Sequence, residues 1–225
     1  MPTRQTSMPA VHAIADLMPD LPPALVPRLL AGARAVSYAP GDPVLRPGQK
    51  EAPSLVASGL LRVVIRSADG RAATISYLGP GRIFGISSLF HRLPVSVTAH
   101  DASSILHFEP AEVVRLGHES AEFSWALLQA VSDNVIAIPD ATAKFVFKTV
   151  RQRVADHLLW AVSRKPDTQG DLIARTTQQE IAEAVGSVRE VVARALRNLQ
   201  AKGLIRLSPG GVLILDKAGL LDQSV

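Results

Sequence analysis

A chain of 225 residues suits one or two domains and can bury a sizeable core, and a formal charge of +4 with a pI near 9.8 fits a nucleic-acid partner without requiring one. The absence of cysteine excludes thiol catalysis, disulfides and Cys-ligated zinc or iron–sulfur centres, and is compatible with a reducing compartment. No apolar run reaches the about eighteen residues needed to span a bilayer, and MPTRQTSMPAVHAIADLMPD lacks the long apolar core of a signal peptide, so a cytoplasmic protein without membrane contact is the expectation.

Residues 1 to about 10 read as disordered, and short helices are predicted over Val11–Met18 and Pro23–Ala33, the latter with Leu25, Leu29 and Leu30 as a helical stripe. From Ala35 the period changes. Turn signals at Pro40-Gly41, Pro47-Gly48, Ser58-Gly59, Asp69-Gly70 and Gly79-Pro80-Gly81 divide short apolar runs. Leu60–Ile65, Ala73–Leu78, Val95–Thr98 and Ser104–Phe108 read as strands, and strands at this spacing indicate a small sandwich or barrel. Glu109-Pro110 opens a helix through Leu116.

A longer helix follows, about Ser120 to Phe147. Leu128, Val131, Val135, Ile138, Thr142 and Phe145 alternate spacings of three and four along it, an a/d seam two to three heptads long. The seam either packs on its own barrel or pairs with a second copy, and so regular a stripe on a helix joining two domains favours a homodimer. Pro139 lies inside it, so the helix is either bent or starts afresh near 140. Val150–Val162 is a further helix, and Lys165–Gly170 a polar loop.

The stretch from Arg175 to Arg206 carries the strongest pattern. Thr177-Gln178-Gln179-Glu180 and Ser187-Val188-Arg189-Glu190 are both capping boxes by sequence, with Gly186 between them as a left-handed C-cap: helix, tight turn, helix. On the second helix Val192, Ala195, Leu196 and Leu199 share one face, and Arg189, Glu190, Ala193, Arg194 and Arg197 the other. Arg189, Arg194, Arg197, Lys202 and Arg206 stand against Glu190 alone between Ser187 and Arg206. Arg bonds guanine O6 and N7 with two donors, and Glu accepts from cytosine N4, so this helix suits the major groove. Gly203 stops the helix, and Leu204–Leu207, Ser208-Pro209-Gly210-Gly211 and Val212–Leu215 read as strand, turn, strand. A lone helix of this kind is more simply a solvated basic face; two consecutive caps and a hairpin make it a winged helix-turn-helix that binds double-stranded DNA.

The fold class is therefore α+β: an N-terminal β-barrel, jelly-roll-like, with flanking short helices over 1–119, a dimerisation helix over 120–148 and a winged helix-turn-helix over 149–225. That order resembles the CRP/FNR superfamily of bacterial transcription regulators over nearly the whole chain. The resemblance rests most on Thr177-Gln178-Gln179-Glu180-Ile181, Val185-Gly186, Arg189-Glu190 with Arg194, and Gly203-Leu204-Ile205. In the sensor, Gly41, Gly48, Gly59, Ser76-Tyr77-Leu78, Gly81 and Phe84-Gly85 resemble the family's barrel turns. The resemblance implies that Arg189, Glu190 and Arg194 read bases in a palindromic TGTGA-like site, as in the cyclic-AMP-receptor type. The iron–sulfur type has a Ser where this chain has Ala193. It also implies phosphate contacts or caps at Thr177, Gln179 and Ser187, with Val188 replacing a usual small polar residue, and RNA polymerase as a partner. Arg197 and Lys202 suit phosphates.

The effector pocket departs from the family. Gly85, Ile86, Ser87, Ser88, Leu89 and Ser96 are its candidate residues, but Ile86 stands where a ribose-binding Glu is needed, and Leu93-Pro94-Val95-Ser96 replaces the Arg-Ser that holds the cyclic phosphate. The adenine-contacting hydroxyls fall near Ile138-Pro139. A buried phosphate needs a cationic or N–H-rich partner, so cyclic AMP is not expected to bind and no cofactor is required. His91, His100 and His107 lie in the sensor, and haem-based gas (NO or CO) sensing within the same superfamily is the alternative. The family's CO-sensing His would fall near Ser87, so that arrangement is missing. A small apolar ligand, a haem on another His, or no ligand remain open. An enzyme is not expected: there is no nucleophile motif, no Gly-rich phosphate loop and no metal-ligand spacing.

Overall fold

The computed structural model describes residues 18–19, 21–164 and 172–224, with the backbone alone described at 137–141 and 164. The expected disorder before residue 10, the Val11–Met18 helix up to its last residue, and the Lys165–Gly170 loop lie outside the described residues. By internal contacts the chain divides into two compact units: 1–64 with 75–139, and 65–74 with 140–225.

In the first unit the expected helix Pro23–Ala33 is shorter and split. Pro23–Leu25 forms a 3₁₀ turn and α1 spans Val26–Leu30. Pro27 has no N–H to return to Pro23, so α-type bonding cannot run through both. Ala31 turns extended and Gly32 takes φ +87°. Val26, Leu29 and Leu30 are buried.

Eight strands follow: β1 (Arg34–Tyr38), β2 (Pro43–Leu45), β3 (Ser54–Ser58), β4 (Leu61–Arg66), β5 (Ala72–Leu78), β6 (Ile83–Phe84), β7 (Val95–Ala99) and β8 (Ser103–His107). They form two four-stranded sheets, ordered β1-β8-β3-β6 and β2-β7-β4-β5. Each keeps two edges, so the roll is an open, jelly-roll-like pair of sheets rather than a closed barrel. Residues alternate faces along a strand. Val56 and Ile105 therefore join Leu61, Leu78 and Val97 inside the roll, while their neighbours Leu55 and Leu106 pack outward with Leu29, Phe108, Leu116 and Phe123. Each such side chain, buried fully, contributes about 1.5–3 kcal/mol. β8 is thus buried on both faces, which is why Ile105-Leu106 shows no polar alternation.

Helix α2 (Pro110–Glu119) leads into α3 (Ala121–Phe147). Ser120 opens α3: its hydroxyl oxygen accepts from the N–H of Phe123 at 3.1 Å. The helix is assigned as one element of 27 residues across Pro139 and does not restart near 140. Phe123, Ala126, Leu127 and Ala130 face the first unit's outer core or are buried. Trp125, Leu128, Val135 and Ile136 are exposed, Trp125 at 64% and Ile136 at 71%.

The second unit contains α4 (Val150–Arg164), β9 (Ile173–Ala174), α5 (Gln178–Val185), α6 (Arg189–Ala201), β10 (Ile205–Ser208), β11 (Gly211–Ile214) and α7 (Lys217–Asp222). Val154, Leu158, Ile181, Leu196, Leu199 and Leu220 lie at the centre of one core. The hairpin β10–β11 gains a third strand, β9, through Val212↔Ala174 and Leu213↔Ile173.

Candidate nucleic-acid interface and effector pocket

Helix α5 begins as its sequence demands. The Glu180 N–H donates to Thr177 Oγ1 at 3.1 Å, and the Thr177 N–H donates to Glu180 Oε2 at 2.6 Å, so both halves of the capping box are made. Gly186 ends the helix at φ +64°. A Cβ there would stand 2.9 Å from Phe145 Cε1, so the turn needs glycine for space as well as conformation.

The second capping box does not form. Helix α6 starts at Arg189 with Val188 as its N-cap, and no side chain caps it. The cause is the tight turn: the Ser187 N–H closes the preceding helix by donating to Ala182 O at 2.9 Å. Ser187 is thereby part of the α5 exit, one residue too early to cap α6. The first turn of α6 is left without a side-chain acceptor at the end that carries Arg189 and Glu190.

The rest of α6 divides as its periodicity implies. Val192, Ala195, Leu196 and Leu199 are buried, and Arg189, Glu190, Arg194 and Arg197 are exposed. Thr177 and Gln179 are exposed on α5's first turn and Ser187 is half-buried. Arg175, Thr177, Gln179, Arg189, Ser208 and Gly210 line one groove bounded by α5, α6 and the β10–β11 turn. Gln179 donates to Glu183 Oε1 at 3.1 Å, and Lys202 to Gln223 Oε1 at 2.5 Å.

Behind this surface Arg153 on α4 fastens the turn. Its guanidinium donates to Val185 O at 3.0 Å and to Lys148 O at 2.7 Å, and lies 5.3 Å from the Phe145 ring centroid. Burial lowers its pKa. Phe145, expected on the dimer seam, packs here against Gly186 and Arg153. Along the same seam Leu128, Val135 and Thr142 are exposed, Val131 is half-buried, and the Ile138 side chain lies outside the described residues. Sequence reasoning missed Arg153, β9 and α7. Asp216, which caps α7 by accepting from the Gly219 N–H at 2.9 Å, was the available signal for the last.

In the roll, Gly85 takes φ +78° and starts a 3₁₀ turn, Ile86–Leu89. Ile86 and Leu89 pack into the outer core beside α3, not among the residues enclosed by the two sheets; Ser88 is buried. Ser96 on β7 donates to Val64 O at 3.3 Å. A polar chain lies nearby. Ser54 donates to Ala52 O at 2.7 Å, His107 Nδ1 stands 2.8 Å from Ser54 Oγ, and His107 Nε2 stands 3.1 Å from the Tyr38 hydroxyl. Because the Ser54 proton goes to Ala52, the network assigns the His107 proton to Nδ1, with Nε2 accepting from Tyr38. Burial, with Arg34 adding, lowers the His107 pKa and keeps the ring neutral. His91 and His100 are exposed. Next to Gly85 is a residue not singled out from sequence. Glu51 is 9% exposed, both its carboxyl oxygens are buried without a hydrogen-bond partner among the described residues, and burial pushes its pKa up to about 8.

These features have known counterparts. Residues 35–120 match the model of a cyclic nucleotide-binding domain and residues 152–223 that of a Crp-like helix-turn-helix domain. A CRP-like cAMP-activated global transcriptional regulator of Mycobacterium tuberculosis is 28% identical over 95% of this chain and 98% of its own length. The transcriptional regulator SdrP of Thermus thermophilus is 28% identical over 82% of this chain and 91% of its own. Among solved structures, a Crp/Fnr-family regulator from Eubacterium rectale superposes with a TM-score of 0.82 at 24% identity, covering 92% of this chain and 97% of that one, a likeness of fold. A CRP/FNR-family regulator from Thermus thermophilus gives 0.68 at 26% identity over 84% of this chain and 97% of that one. No described helix is long and apolar enough to cross a membrane. With both halves matched in their order and the relatives spanning the chain nearly end to end, this protein belongs to the CRP/FNR superfamily of DNA-binding transcription regulators and is not an enzyme.

Proposed function

We propose that the protein acts as a cytoplasmic homodimer on an inverted repeat of a TGTGA-like half-site, and that cyclic AMP does not control it. The observation that carries this reading is the outer face of α6. Arg189, Glu190, Arg194 and Arg197 are exposed together, opposite the buried Val192, Leu196 and Leu199. On it Arg189 reads a guanine, Glu190 a cytosine of the opposite strand and Arg194 a further guanine or thymine. Thr177, Gln179 and Ser187 anchor phosphates beside them. The exposed stripe of Trp125, Leu128, Val135 and Ile136 supports pairing of α3 with a second copy. In this reading 1–119 senses, 120–148 dimerises, 149–225 binds DNA, and RNA polymerase is the downstream partner.

Independence from cyclic AMP rests on Ile86 and on Leu93-Pro94-Val95-Ser96, which supply neither the carboxylate nor the guanidinium that ribose and cyclic phosphate require. The haem alternative gains nothing at His107, whose two ring nitrogens are already hydrogen-bonded. Selection of bound sequences from random DNA, with and without cyclic AMP, tests the proposal. An inverted repeat enriched equally in both arms is expected. Enrichment only with cyclic AMP overturns the independence, and single half-sites overturn the dimer.

A further inference from the structure

We propose that Glu51 is the effector-recognition group of the roll, and that it takes a small organic cation, an ammonium or guanidinium carried on a ligand without phosphate. This rests on the reading of the roll as a sensor that does not take cyclic nucleotides, and it names what the roll takes instead.

The first argument is position. The Glu51 Cγ lies 3.3 Å from where a Cβ on Gly85 would stand, and the neighbouring Ala52 O lies 2.5 Å from the same point. Gly85 opens the turn that holds Ile86, Ser87, Ser88 and Leu89, the candidate pocket segment. A carboxyl is thus present beside this turn although Ile86 removes one from the turn itself. It comes from the residues leading into β3, 34 positions earlier in the chain, so no local motif announces it.

The second argument is that the surrounding polar groups are spent. Ser54 gives its proton to Ala52 O, His107 gives its own to Ser54, and Tyr38 gives its own to His107. These donors form a closed chain that ends on a backbone carbonyl, and none reaches Glu51. Among the described residues no basic side chain pairs with it either. Buried polar groups are hydrogen-bonded in the great majority of cases, and a buried carboxyl left over is a costly feature to keep without a use.

The third argument is charge. A buried carboxyl that no guanidinium or ammonium pairs with among the described residues disfavours phosphate and attracts a cation. Divalent metals are poorly served, because they need several oxygen ligands and only one carboxylate is offered. A monovalent organic cation needs one carboxylate and hydrogen-bond donors of its own, which the free Oε1 and Oε2 can accept. At neutral pH burial keeps Glu51 protonated. Binding therefore exchanges one proton for the ligand's positive charge: the carboxyl proton passes to solvent and the carboxylate pairs with the cation. A ligand that offered only neutral hydroxyls would bind without that release.

The test is calorimetry on the full chain at pH 7 with agmatine and butylamine as probes and cyclic AMP as the anionic control, each in two buffers of different ionisation enthalpy. Saturable binding of a cationic probe with release of about one proton per site is expected, with at least about tenfold weaker binding and no proton release in Glu51→Gln. Gln matches the protonated acid in shape, so this variant should fold, and its thermal unfolding midpoint at pH 6 checks that it does. Failure of both cations to bind at millimolar concentration, equal binding by Glu51→Gln, or binding without proton release each overturns the proposal. Neither cations nor cyclic AMP binding would sink the Glu51 assignment while leaving the cyclic-AMP-independent regulator standing. Cyclic AMP binding would sink that reading as well.

Discussion

Arg189 and Arg194 have no intramolecular partner among the described residues, and both stand on the face of α6 that packing leaves bare. In the proposed reading, a guanidinium at a helix start that its own protein does not engage is the one offered to a base edge. Arg189→Ala is expected to cost roughly 1–3 kcal/mol per half-site and to relax preference at one base pair only. Binding to operators carrying single base changes, at one fixed salt, checks this; an equal loss on every operator would reassign Arg189 to phosphate anchoring. Glu51 makes a different residue-scale prediction. Its pKa is raised to about 8 in the folded chain, above the ordinary carboxylate value. Below about pH 4.5 the group is protonated folded or unfolded, and its full contribution to stability is present. As pH rises from there the unfolded chain ionises alone, and stability falls until the folded-state value near 8 is passed, by an amount on the order of a few kcal/mol. Glu51→Gln should remove that slope, so denaturant unfolding at pH 5 and pH 8 should differ less in the variant than in the native chain. Identical pH profiles for the two would show that Glu51 is hydrated or paired in solution.

At the scale of elements, the two helices of the DNA-binding motif begin differently. α5 has a complete capping box and α6 has none. Thr177→Ala should therefore cost about 1 kcal/mol, read as a lower unfolding midpoint, whereas Ser187→Ala should leave stability nearly unchanged because its side chain caps nothing. Helix α3 presents the other element-scale question. Its inner side packs Phe123 and Leu127 into the first unit's core, and its outer side exposes Leu128, Val135 and Ile136. An apolar outer stripe of this kind is expected to be covered by a second α3. Val135→Glu should give monomers in sedimentation at micromolar concentration and lose the cooperative binding of an inverted repeat. A native chain that sediments as a monomer while binding the full operator tightly would refute the seam.

For the whole molecule, the formal charge of +4 is modest, and five basic residues against one acidic fall within residues 187–206. Positive charge is thus concentrated in one stretch of the second unit, from the start of α6 to β10, rather than spread over the chain. The logarithm of affinity should fall linearly with the logarithm of salt concentration, because phosphate contacts release counterions. Arg197→Ala should reduce that slope by about one per subunit while leaving the selected sequence unchanged. A change in preferred sequence would instead place Arg197 on a base.

What the chain's order of residues settled unaided was whatever depends on near neighbours. The Thr177–Glu180 cap, the Gly186 turn and the buried stripe of α6 are set by residues within a helical turn or two of one another, and all are present in the structure. Four of the eight roll strands were also legible, nearly to the residue. β1, β2, β3 and β6 were not, because β2 and β6 are only three and two residues long and gain their hydrogen bonds from partners far along the chain. The Ser187 box failed for a related reason: two local motifs competed for one residue, and the exit of α5 took its N–H. On α3, Phe145 packs against Gly186 and Arg153 while Ile136 is exposed, an arrangement set by what packs beneath the helix and not carried by the three-and-four spacing alone. Glu51 was invisible in sequence, where it is one exposed-looking acid beside Lys50. Only folding brings it against Gly85 and away from water, and a carboxyl's chemistry is decided by that surrounding dielectric and not by its neighbours along the chain.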